Sequence, residues 1–108
     1  MTPIDDPMAM TIAGMIRDAV RPDRIILFGS RARGDARCGS DYDIMIVGPS
    51  SFPRWRRTPL IYRLLAGLGV SKDVLWWTPE EVKEWEGVKS HFISSVLHEG
   101  IVLYEKPA

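Results

Sequence analysis

Two short apolar runs, Ile25 to Phe28 and Ile44 to Val47, bracket the stretch that most constrains this chain. The first run stops at Gly29-Ser30, an Arg- and Gly-rich segment follows, and Ser40-Asp41-Tyr42-Asp43 leads into the second. The runs read as strands. In a strand, side chains alternate, so Asp41 and Asp43 project from one face and Tyr42 from the other. Two carboxylates side by side repel, and a divalent cation reverses that cost. The pattern predicts a hard-metal site, with the Gly-Ser turn beside it holding what the metal carries.

A chain of 108 residues is enough for one compact core, so the expectation is a single domain over residues 1–108. Formal net charge is zero, but residues 1–63 hold ten Arg against seven Asp, while residues 64–108 hold four Lys against one Asp and six Glu. A basic half containing a Gly-Ser turn suits a phosphate-bearing ligand better than a long nucleic acid, which would call for a chain basic overall. Cys38 is the only cysteine, which excludes an intrachain disulfide and suits a reducing compartment. No apolar run approaches the roughly 20 residues of a membrane span, and the acidic N-terminus does not read as a signal peptide. The expected location is the cytoplasm.

In chain order, Asp6-Pro7 caps a helix with Met8, Ile12, Met15, Ile16 and Ala19 on its apolar face. Residues 24–28 form a strand, Ser30 to Arg33 the first turn of a short helix, and Asp41 to Val47 the second strand. A polar loop over 50–58 carries Arg54, Arg56 and Arg57 around Trp55. Thr58-Pro59 starts a helix with Leu60, Ile61, Leu64, Leu65 and Leu68 as its apolar positions. Val70 to Trp77 is a third strand, with Asp73, Leu75 and Trp77 on one face. Thr78-Pro79-Glu80-Glu81 is a capping box opening a helix to about Glu86. Lys89 to His98 is a last helix with Phe92, Ile93, Val96 and Leu97 inward, and Ile101 to Tyr104 a final strand. The order α-β-α-β-α-β-α-α-β predicts an α+β, two-layer fold: a small mixed sheet with helices on one face and the other face free for chemistry.

Gly29-Ser30 after a strand, Asp41-x-Asp43 opening the next, and Asp73 on a further strand resemble the signature of the DNA polymerase β-type nucleotidyltransferase superfamily. Within it the chain is similar to the minimal nucleotidyltransferases encoded beside HEPN-domain toxins, and the similarity covers most of its length. The resemblance implies in-line displacement at an α-phosphorus, in which two Mg²⁺ ions roughly 3.5–4 Å apart stabilise the attacking and leaving oxygens. It implies that Asp41 and Asp43 bridge the metals and that Gly29 and Ser30 hold the β- and γ-phosphates of ATP. Asp73 would ligate the catalytic metal and help deprotonate the attacking hydroxyl. A P-loop motif is absent from the sequence.

Other residues carry two readings each. Arg31 and Arg33 are candidate nucleotide-binding residues, or partners of Asp35 or another nearby carboxylate. Arg54, Arg56 and Arg57 could meet a nucleotide or an acidic partner, although such a run is ordinarily a solvated face. Trp55 could stack on a base, against the expectation that it packs in a lid or in the core. Trp76 and Trp77 point to opposite faces, one into the core and the other available to a partner. His91 and His98 read as structural, and Cys38 as neither a zinc ligand nor a nucleophile.

The resemblance implies transfer of AMP from ATP to a hydroxyl, a tyrosine, of a HEPN-type toxin, making the chain an antitoxin. Relatives that modify antibiotics or RNA carry an extra domain, whereas these 108 residues are spent on the catalytic fold, so a partner protein is expected to complete the site. The alternatives are a non-catalytic partner that neutralises by occlusion, and a small-molecule (aminoglycoside-like) transferase whose dimer mate forms the pocket.

Overall fold

The Asp6 carboxylate accepts the Ala9 N–H at 3.1 Å and Pro7 fills the first helical position, so α1 (Pro7–Val20) begins where its cap residues place it. In the computed structural model, which describes residues 6–88 and 91–107, β1 (Arg24–Phe28) follows, then the single-turn α2 (Ser30–Arg33) and β2 (Tyr42–Val47). A 3₁₀ turn over Arg54–Arg56 precedes α3 (Pro59–Leu65), which leads through another 3₁₀ turn into β3 (Lys72–Trp77). The chain ends with α4 (Pro79–Trp85), α5 (Phe92–Glu99) and β4 (Ile101–Glu105).

The strands form one mixed sheet in the order β3-β2-β1-β4. β1 pairs antiparallel with β2 and β4, and β2 pairs parallel with β3. Element order and the mixed sheet agree with the sequence. The placing of the helices does not: they divide between the two faces rather than sharing one. On one face α1 and α3 bury Ile12, Ile16, Ile61 and Leu65 against Ile25, Leu27, Ile44 and Ile46. On the other, α4 and α5 bury Val82, Ile93 and Val96 against Ile26, Phe28, Met45, Val47 and Trp77. The physical reason lies in β1 and β2 themselves. Central strands apolar at successive positions are apolar on both faces and need cover on both.

Smaller differences follow from packing. The buried stripe of α1 is Ala9, Ile12, Ala13 and Ile16, rotated from the expected one, so that Ala19 is exposed. Thr58 makes no side-chain cap bond, whereas Thr78 and Glu81 complete the capping box of α4. The expected start of the last helix at Lys89 lies outside the described residues. His91 is the N-cap of α5, its Nδ1 accepting the Ile93 N–H at 3.1 Å. Phe92, expected inward, is 46% exposed at the first turn. Among the described residues no helix is long and apolar enough to cross a membrane.

Candidate active site

The site forms where β1 ends and β2 and β3 begin. Phe28 stands opposite Asp43 in the antiparallel register, and Asp43 stands opposite Asp73 in the parallel one. Gly29 has φ 74° and ψ −156°, and a Cβ on it would overlap the Asp43 carboxylate. Glycine is therefore required twice over, for the backbone angle and for the close approach. α2 closes with the Ala32 and Arg33 N–H groups both donating to the Gly29 carbonyl, at 3.1 and 3.0 Å. The N–H groups of Ser30 and Arg31 come before that first helical bond, where a helix start favours an anion.

Asp41 lies one residue ahead of β2 and is exposed, its Oδ1 accepting from the Ser71 hydroxyl. Asp73 is exposed, with the Tyr62 hydroxyl 3.4 Å from its Oδ1. That hydroxyl also accepts the Val74 N–H at 2.8 Å, so α3 is tied to β3 beside the carboxylate. Asp43 is half-buried. Burial raises its pKa above the usual carboxylate range, the Asp73 and Asp41 charges raise it further, and Arg33 opposes them. The three carboxylates thus share one electrostatic environment, although they come from residues up to thirty-two positions apart.

Among the described residues no three His, Cys, Asp or Glu side chains meet closely enough to form a preassembled metal cluster. Asp41 and Asp73 are turned to hydroxyl partners instead. The donor set still fits a hard cation: it is all oxygen, carries three carboxylates, and has its half-buried member against the Gly29 backbone.

Arg31 and Arg33 occupy different settings. The Arg31 Nε and Nη2 donate to the Ser40 carbonyl at 3.1 and 2.9 Å, and the guanidinium lies 3.9 Å over the Tyr42 ring. It also sits 3.7 Å from Asp6, whose other oxygen accepts the Tyr42 hydroxyl at 3.1 Å. Arg31 thereby fastens the loop that delivers Asp41. Arg33 is half-exposed, 3.3 Å from Asp35 and 3.4 Å from Glu99.

Elsewhere, Arg57 is withdrawn from solvent, bonded to Glu81 at 2.7 Å and to the Trp76 carbonyl at 3.2 Å. Burial pushes the Glu81 pKa up, but the hydrogen bonds from Arg57 and Thr78 outweigh it and hold the carboxyl below its usual value. Trp55 is 76% exposed, so it packs in no core. Trp76 and Trp77 do face opposite ways, yet both are buried, because each face of the sheet is covered. His91 stacks on Trp85 at 4.3 Å between ring centroids, in keeping with a structural role. Cys38 is exposed.

Sequence reasoning missed Tyr62 and Ser71, the hydroxyl partners of Asp73 and Asp41. The only sequence signal for Tyr62 was a polar-tipped aromatic inside an apolar helical stripe.

The sequence profile described as "Nucleotidyltransferase domain" matches residues 10–103. No curated protein matches the chain. Among solved structures, a chain of a toxin–antitoxin crystal structure with AMP-PNP is 21% identical with a TM-score of 0.64, covering 91% of this chain and 73% of its own. A candidate nucleotidyltransferase from Sulfolobus solfataricus is 20% identical with a TM-score of 0.65, covering 92% and 78%. A chain from the complex of tri-AMPylated Shewanella oneidensis HEPN toxin with MNT antitoxin is 19% identical with a TM-score of 0.57, covering 92% and 71%. At these identities the likeness is one of fold.

Proposed function

The chain belongs to the nucleotidyltransferase domain family, and from that premise we propose that it is a Mg²⁺-dependent transferase. It moves AMP from ATP to a hydroxyl, a tyrosine, of a partner HEPN-type toxin in the cytoplasm and thereby acts as the antitoxin. The observation that carries this reading is the Asp43 carboxylate lying against Gly29, with the charges of Asp73 and Asp41 acting on it. An anion-binding turn and a cluster of repelling carboxylates in contact are costly together unless a metal–polyphosphate complex joins them. Two structures that share the fold add support for the substrate classes, one holding AMP-PNP and one an AMPylated HEPN toxin with its MNT antitoxin.

Asp41, Asp43 and Asp73 would hold Mg²⁺, which when bound stabilises the attacking and leaving oxygens of an in-line displacement. The Gly29–Ser30 turn donates backbone N–H groups and the Ser30 hydroxyl to the β- and γ-phosphate oxygens. Arg31 keeps Asp41 in place through the Ser40 carbonyl, and Arg33 offsets the carboxylate charge near the phosphates. Asp73, exposed on the edge strand, accepts the proton of the acceptor hydroxyl. That oxygen forms a bond to the α-phosphorus, the bond to the β-phosphate bridging oxygen breaks, and pyrophosphate leaves.

The test is incubation of the purified chain with a candidate HEPN-type partner protein, Mg²⁺ and ATP. The expected result is a rise of the partner's intact mass by at least one AMP, lost in the Asp41→Asn variant. A partner mass that never rises, with toxin neutralisation untouched by Asp41→Asn, would leave occlusion as the function.

A further inference from the structure

The loop between β2 and α3 lies at the end of the sheet opposite the carboxylates, separated from Asp41 by the length of β2, roughly 17–20 Å for a six-residue strand. It presents Phe52, 51% exposed, and Trp55, 76% exposed, to solvent, and the first turn of α3 adds Leu60, 54% exposed. Phe52 and Leu60 line a cavity of about 360 Å³ together with Val20, Pro49 and Trp76, its wall completed by two serines and by Arg56 and Arg57. An apolar cluster of this kind around a preformed hollow is characteristic of a contact surface.

The loop is also held in shape. The Arg57 Nε donates to the Phe52 carbonyl at 2.9 Å, and its Nη1 reaches the Trp76 carbonyl and Glu81. Only 8% of the Arg57 side chain is exposed, so it acts as a strut. Arg54 and Arg56 are used differently. Arg54 lies 4.0 Å over the Trp77 ring, and Arg56 lies 5.0 Å over Phe52 and 5.8 Å over Trp55. Neither has a carboxylate partner among the described residues, and both are exposed. Of the two, only Arg56 lines the hollow, a cation resting on exposed aromatic rings at its edge, whereas Arg54 covers Trp77 on the other face of the sheet.

We propose that this loop is a docking surface for a partner protein segment in which a large apolar side chain is flanked by carboxylates. The apolar side chain fills the cavity, a flanking carboxylate pairs with Arg56, and Trp55 closes over the contact. Trp and Arg are the residues that most often dominate such interfaces, and opposite charge at the rim sets partner choice and association rate. A hollow lined largely by apolar side chains, with Arg56 as the cation outside any ion pair among the described residues, favours a side chain with flanking acids over a nucleic-acid strand, which needs a longer basic track. The surface is separate from the transferase site, so docking does not depend on the chemistry proposed there.

The probe is a fluorescein-labelled peptide, acetyl-Asp-Glu-Leu-Phe-Glu-Asp-amide, titrated with the full chain and followed by anisotropy. Saturable binding is expected, with affinity falling as salt rises, and at least tenfold weakening in Arg56→Glu and in Trp55→Ala. Both positions are exposed, so unchanged thermal unfolding of the variants verifies that they fold. Asp43→Asn should bind the peptide as the parent does, which separates this result from any outcome of the AMP-transfer assay. Absence of saturable binding, equal binding of a lysine-flanked peptide, or indifference to both substitutions overturns the proposal. Concentration-dependent self-association abolished by Arg56→Glu, or binding of a single-stranded oligonucleotide abolished by Trp55→Ala, would also overturn it, assigning the surface to a second copy or to nucleic acid.

Discussion

Replacing Asp43 with Asn should make the metal-free protein more stable while removing its response to metal and nucleotide. Asp43 pairs in register with Asp73, follows Asp41 by two residues, and is half-buried; burial first, and then those two charges, raise its pKa. A carboxyl whose folded pKa is raised contributes stability that is full below its unfolded pKa and is lost as pH rises through the folded one. At neutral pH the ionised group is therefore a liability. Like charges directly opposite on adjacent strands are destabilising, on the order of the 0.2–1 kcal/mol of other cross-strand pairs, and Asp41 adds a second like charge two residues earlier in the chain. With two such neighbours and partial screening by water, the isosteric amide should recover about 1 kcal/mol, or roughly 4 °C or more in Tm for a domain of this size. The assay is thermal unfolding by circular dichroism with EDTA at neutral pH, repeated at acidic pH and again with Mg²⁺ and a non-hydrolysable ATP analogue. The gain should shrink in acid, where the parent's Asp43 is itself protonated, and the order should reverse with ligand, because only the parent binds it tightly. An Asn variant less stable than the parent in EDTA, or one stabilised equally by Mg²⁺ and analogue, would refute the reasoning.

Gly29→Ala should cost about 1–3 kcal/mol by denaturant unfolding, since a side chain there strains the positive φ and displaces Asp43, and it should abolish AMP transfer together with nucleotide binding. Glu81→Ala removes the partner of a withdrawn guanidinium and half of the α4 capping box, for a loss of about 1.5–3 kcal/mol. Because the folded Glu81 pKa is lowered, that contribution is present above the ordinary value of 4.5 and disappears as pH falls through the lower folded value, so parent and variant should converge in acid. Ile44→Ala, at a fully buried position of the central strand β2, should cost about 2–5 kcal/mol in the same measurement. Tyr62→Phe deletes the hydroxyl shared by Asp73 and the Val74 N–H, and is expected to lower the transfer rate more than nucleotide affinity, read from kcat against KM.

Much of this protein is written in short-range pattern. The Asp6-Pro7 and Thr78-x-x-Glu81 caps, the β1 and β2 runs, the Gly29-Ser30 turn and the single turn of α2 all depend on neighbours within a few residues, and each forms as its residues dictate. Of the candidate carboxylates, Asp41 and Asp43 were legible from strand alternation, while Asp73 came from the resemblance to the nucleotidyltransferase signature. The register then set Asp73 opposite Asp43. What the chain order could not express is which surfaces meet. That β1 and β2 are covered on both faces, that Trp77 is buried beneath Arg54, and that Arg57 is a strut bonded to Glu81 follow from contacts between elements far apart in sequence. Likewise Arg31 and Arg33 look alike in sequence, and only the fold sends one to the Ser40 carbonyl and the other to Asp35 and Glu99. Residue identity and local spacing determine the turns, the strands and the chemistry of the donor set. Burial and the choice of ionic partner depend on a three-dimensional neighbourhood, and only the tertiary structure decides that.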